Sequence, residues 1–148
     1  MEERFQTFTV LVTDINRSIH KLKTKEMEEF DLKSSHVSCL YYLFKTGSMT
    51  ATELCDICRE DKANISRAIK SLEDNGYVVC NSKKQKRYQS QLTLTDMGAQ
   101  VASRIAKKID KVLDAVSEGV SDEHRAIMYH ALAKISANLQ KLCEDTDL

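Results

Sequence analysis

The chain has 148 residues, a length that suits one domain and lets it bury roughly 70% of its unfolded surface without a disulfide or metal. With 42% hydrophobic and 30% charged residues it is not a disordered chain, and its apolar runs stop short of the ~20 residues that span a bilayer. Lys plus Arg and Asp plus Glu balance at 22 each, which excludes coating of a polyanion by bulk charge and leaves only a local basic surface for such a partner.

Proline is absent, which favours long uninterrupted helices. The N-terminal MEERFQTF begins acidic and lacks the charged-then-apolar order of a secretion signal, so a cytoplasmic chain with reduced thiols is expected. The five cysteines, Cys39, Cys55, Cys58, Cys80 and Cys143, are an odd number and do not read as a disulfide framework.

In chain order, Phe5, Phe8, Leu11, Val12, Ile15, Ile19 and Leu22 recur in steps of three and four, which predicts an amphipathic helix over residues 3–29. A second helix opens at Ser34 or Ser35 as N-cap, presents Val37, Leu40, Tyr41 and Phe44 on one face, and stops at Gly47. Thr50 with Glu53 forms a capping box for a short third helix to about Arg59. Asp61 caps a fourth helix to Asn75, whose inward stripe is Ile65, Ala68, Ile69 and Leu72, with Gly76 at its end. The period then changes. Tyr77–Cys80 and Gln89–Leu94 are β-prone runs around a polar loop, a β-hairpin. Thr95 or Asp96 caps a long fifth helix carrying Val101, Ile105, Ile109, Val112, Leu113 and Val116, and Gly119 closes it. Ser121 opens a sixth helix carrying Ile127, Met128, Ala131, Leu132, Ile135, Leu139 and Leu142.

Three helices followed by a hairpin over residues 34–94 have the layout of a winged helix-turn-helix with a two-stranded β-wing, in a mainly α chain. The fourth helix is then the recognition helix, with Lys62, Ala63, Asn64, Ser66, Arg67, Lys70 and Ser71 facing outward and no acidic residue among them. Those side chains suit a major groove. Arg67 can grip guanine O6 and N7, Asn64 can do the same at adenine, and Ser66 can bond a base or phosphate. Lys62 and Lys70 can neutralise phosphates, and Ala63 leaves room for close approach. The hairpin tip adds Lys83, Lys84, Lys86 and Arg87, whose mutual repulsion is relieved by a polyanion. These features predict binding to double-stranded DNA.

Residues 50–98 resemble the DNA-binding core of the MarR family of bacterial regulators. The points of likeness are Glu53-Leu54, Asp61-Lys62, Ile65 with Arg67, Leu72-Glu73-x-x-Gly76-Tyr77-Val78 and Leu94-Thr95-x-x-Gly98. The flanking helices extend the likeness over nearly the whole chain. The resemblance implies a repressor that binds a pseudo-palindromic site as a homodimer. Residues 1–30 and 95–145 would form its helical dimerisation region within a single domain of residues 1–148. It also implies a small-molecule effector pocket between the dimer helices and the DNA-binding lobe, flanked by His20 and His36; Tyr41, Tyr42 and Phe44 could line it, but packing is the favoured reading of these three. The family's Asp-x-Arg wing pattern is replaced by Lys86-Arg87-Tyr88, so the acid that orients the arginine is missing.

No nucleophile–base pair or phosphate-binding loop is present to carry an enzyme, and nothing calls for a cofactor. Cys55-x-x-Cys58 has metal-ligand spacing but no further ligands, and no two of His20, His36, His124 and His130 stand four residues apart, so no metal is expected. Cys39, Cys55 and Cys58 read as small core residues, Cys80 as exposed and Cys143 as a free thiol. Two other readings stay open: a thiol-based redox-sensing regulator, and a winged-helix protein–protein interaction module.

Overall fold

The structure, a computed structural model, describes residues 3–4, 6–81, 86 and 89–145. The chain divides into two compact units, Met1–Lys108 and Ile109–Leu148. Among the described residues no helix is long and apolar enough to cross a membrane.

The first unit opens with a π-helical stretch, Gln6–Leu11, that runs into α1 (Val12–Met27). A single 3₁₀ turn, Glu28–Phe30, follows and ends at Asp31, which takes up a left-handed conformation with φ 50°. The expected amphipathic helix is therefore present, but its apolar face is open. Phe8, Leu11, Val12, Ile15, Ile19 and Leu22 are all exposed, and within α1 itself Met27 alone is buried.

α2 (Ser34–Thr46) starts one residue earlier than expected. Lys33, with extended backbone, holds the N-cap position, and both serines lie inside the helix. The Lys33 N–H donates to Nδ1 of His36 at 3.3 Å. Ser34 Oγ instead accepts from Lys23 Nζ at 3.2 Å, which ties α1 to α2. Gly47, at φ +85°, ends the helix. α3 (Ala51–Cys58) has the expected capping box: Thr50 N–H donates to Glu53 Oε2 at 2.7 Å, and Glu53 N–H donates to Thr50 Oγ1 at 3.2 Å. α4 (Lys62–Asp74) is capped by Asp61, whose Oδ1 accepts from Asn64 N–H at 2.8 Å.

β1 (Val78–Cys80) and β2 (Leu92–Leu94) pair antiparallel, with Val78 opposite Leu94 and Cys80 opposite Leu92. Met49 bonds Leu92 in both directions, at 3.2 and 2.8 Å, and so pins the α2–α3 connection to the hairpin. α5 (Asp96–Val116) begins immediately after β2. Thr95 Oγ1 donates to the Gly76 carbonyl at 2.6 Å and accepts from Gly98 N–H at 3.0 Å, so one hydroxyl joins the end of α4 to the start of α5. A Cβ on Gly98 would overlap the Tyr77 carbonyl oxygen, so glycine is the residue that lets α5 lie this close to β1. The Leu94-Thr95-x-x-Gly98 signature thus has a mechanical origin.

The core of this unit is built from Val37, Leu40 and Leu43 of α2, Leu54 of α3, Ile65 and Leu72 of α4, Val78, Leu92, and Ala102 and Ile105 of α5. Each large side chain among them contributes roughly 1.5–3 kcal/mol by leaving water. The end of α1 is fastened to α5 by charge. Lys108 Nζ donates to Glu29 at 2.7 Å and to the Glu26 carbonyl at 2.8 Å, while Arg104 stacks 5.0 Å above the Phe30 ring. The Lys108 bond holds the Glu29 carboxyl below its ordinary range.

The second unit contains the end of α5 and α6 (Asp122–Glu144), separated by Gly119 at φ +80° and the N-cap Ser121, which accepts from His124 N–H at 3.2 Å. α6 buries none of its residues. Met128, Leu132, Ile135, Leu139 and Leu142, spaced four, three, four and three apart, form an exposed seam of the kind that coiled helices cover.

Candidate nucleic-acid interface

The turn between α3 and α4 is set by Arg59, whose backbone is left-handed at φ 55° and whose N–H donates to Cys55 O. Two further residues, Glu60 and Asp61, complete the turn before α4 begins. Ile65, Ala68, Ile69 and Leu72 are buried, the i, i+3, i+4, i+7 stripe that anchors α4 to the core. This anchoring leaves Lys62, Ala63, Ser66, Arg67 and Lys70 exposed along the opposite side, as the sequence predicts. Asn64 and Ser71, also expected to face outward, lie at the margin, half-buried.

Sequence reasoning missed a chain of hydrogen bonds that runs along the first turn of α4. Asn64 Nδ2 donates to Glu60 Oε2 at 2.9 Å, and Asn64 Oδ1 accepts from Arg67 Nη2 at 3.0 Å. The spacings i, i+4 and i, i+3 are those at which helical side chains meet. Glu60 precedes the helix, however, and reads from sequence as a turn residue.

At the hairpin, Asn81 N–H donates to Gln91 O at 2.8 Å, and the Asn81 and Thr93 side chains bond each other at 3.0 Å. Lys86 is exposed, and its carbonyl accepts from Gln89 N–H at 2.9 Å. Lys83, Lys84 and Arg87, the other expected wing contacts, lie outside the described residues.

The model of the winged helix DNA-binding domain matches residues 36–113, more than half of the chain. The chain belongs to the winged helix DNA-binding domain family. An uncharacterised HTH-type transcriptional regulator of Bacillus subtilis (strain 168), YwoH, is 36% identical over 80 residues; the match takes in 52% of this chain and 58% of that relative. The winged helix and its flanking helices also share the fold of solved MarR family regulators. NMB1585 from Neisseria meningitidis superposes with a TM-score of 0.81 at 23% identity over 93% of this chain and 96% of its own. A MarR family regulator from Listeria monocytogenes, solved in complex with 26mer DNA, superposes at 0.77 with 22% identity over 94% and 90%. The likeness to the MarR family read from residues 50–98 therefore extends to the whole architecture.

Three of the five thiols differ from expectation. Cys39 is buried as a core residue, but Cys55 and Cys58 are half-buried, as is Cys80, and Cys143 is exposed. Cys58 faces Cys39 across the α2–α3 contact rather than pairing with Cys55. The neighbouring Cys39 thiol pulls Cys58 below the ordinary thiol range, and Cys58 together with burial pushes Cys39 above it. Burial, then the Asp56 carboxylate, raises Cys55. Among the described residues no His, Cys, Asp or Glu group forms a metal-binding cluster.

Proposed function

We propose that this winged helix is a transcriptional regulator that binds double-stranded DNA sequence-specifically, as a homodimer on a pseudo-palindromic site. The observation that carries the reading is the outer side of α4. There Lys62, Arg67 and Lys70 project with Ala63 and Ser66 from a helix whose other side is locked into the core. Such a helix can enter a major groove without losing its packing. The wing cations Lys83, Lys84, Lys86 and Arg87 supply the second contact, to backbone and minor groove. Its sense is repression, as in the MarR resemblance.

Dimerisation is supported by the apolar seams of α1 and α6, each with side chains that a single copy leaves in water. Residues 1–30 and 95–145 are the proposed dimerisation region. Release from DNA is assigned to a small anionic effector. It would enter an open cleft of about 1150 Å³ between α1 and α2, where Arg17, Lys21, Lys23, Lys25 and Lys33 outnumber Glu28 and Asp31 and where His20 and His36 stand. The test is fluorescence anisotropy of the reduced protein on DNA from its own upstream region, over a salt series. Affinity should fall steeply with salt. Arg67→Ala should weaken binding roughly 5- to 150-fold, the loss of one bidentate guanine contact. Binding that is insensitive to salt, to Arg67→Ala and to scrambling of the DNA would overturn the reading.

A further inference from the structure

Asn64 is fixed at three points. Its backbone N–H is held by Asp61, its amide nitrogen by Glu60, and its amide oxygen by Arg67. A carboxylate only accepts and a guanidinium only donates, so the amide between them has a single orientation. Glu60 is half-buried, and its carboxylate stands at the mouth of a surface meant for phosphates, a placement that repulsion disfavours unless the group serves the site. The bond from Arg67 uses one of its five N–H groups and leaves a fork for a base. Because the side chain would otherwise lose rotamer freedom on docking, a fixed guanidinium starts nearer its bound geometry.

We infer that Glu60 and Asn64 are positioning residues that aim Arg67 at its base, so that Asn64 acts through Arg67 rather than reading adenine itself. The inference rests on the DNA-binding reading above. It assigns Glu60, a turn residue, a role in sequence preference that composition and charge would deny it.

The polarity of the relay can be inverted at constant charge. In Glu60→Gln the new amide oxygen still accepts from Asn64. In Asn64→Asp two carboxylates face each other and the donor is lost. In the double variant Glu60→Gln/Asn64→Asp, the Gln amide donates to Asp, which still accepts from Arg67, and the net charge is that of the natural chain. The experiment enriches bound duplexes from a pool with a randomised centre, using the full-length chain, Arg67→Ala and each relay variant. The motif position that Arg67→Ala erases marks the base read by Arg67. At that position Glu60→Ala and Asn64→Asp should lower preference about 2- to 10-fold, the weight of one hydrogen bond. Glu60→Gln and the double variant should keep it. Preference retained in Glu60→Ala, or lost equally in Asn64→Asp and the double variant, overturns the relay and returns Asn64 to direct reading. If Glu60→Ala fails to fold, the comparison of Asn64→Asp with the double variant decides alone. No motif from the natural chain overturns the DNA-binding reading instead.

Discussion

His36 occupies the third position of α2, where its Nδ1 accepts the Lys33 N–H, and burial, with the Lys33 cation second, holds its pKa below the ordinary 6.5. Both influences favour the neutral ring in the folded chain. The unfolded chain therefore takes up the proton first on acidification. The stability that neutral His36 contributes is complete above its ordinary pKa and is lost as pH falls from there through the lowered value. Urea midpoints measured from about pH 7.5 to about pH 5.5 should fall more steeply for the natural chain than for His36→Gln, which keeps an acceptor but cannot titrate. Parallel lines would contradict this. The identity of the outward α4 residues was legible in the sequence, because the buried stripe fixes the opposite side. The partners of those residues were not. Asn64 reads as a base reader until Glu60 is seen beside it, and Cys58 reads as a small core residue, whereas it is a half-buried thiol that α2 brings against Cys39.

Elements were legible wherever a boundary is chemically local. The Thr50–Glu53 capping box, Asp61 and Ser121 each act within three residues, and their helices start where those residues place them. α2 departs by one residue because Lys33 takes the extended cap conformation while Ser34 is drawn to Lys23 of α1, a contact that the local sequence does not contain. The Met49–Leu92 bridge was likewise hidden, since it joins segments far apart in the chain. The close approach of α5 to β1 is the most demanding junction. Gly98→Ala should force the helix off the Tyr77 carbonyl and lower stability by about 1–3 kcal/mol, the cost of overpacking, read as a lower urea midpoint with unchanged slope. An unchanged midpoint would show that α5 can shift freely.

For the whole molecule, the decisive feature is apolar surface that one copy does not cover. α6 buries nothing, although Ile127 is 60% and Leu142 51% exposed, and α1 leaves Ile15 and Ile19 about as open. A second copy that covers these seams would also duplicate α4, so the proposed function requires two recognition helices on one duplex. Hydroxyl-radical footprinting of the full-length chain on its most strongly enriched duplex tests that requirement. Two protected half-sites of inverted sequence are expected, with centres separated by about 10–10.5 base pairs or a multiple of it. A single protected patch, or uniform protection without a preferred site, would contradict it.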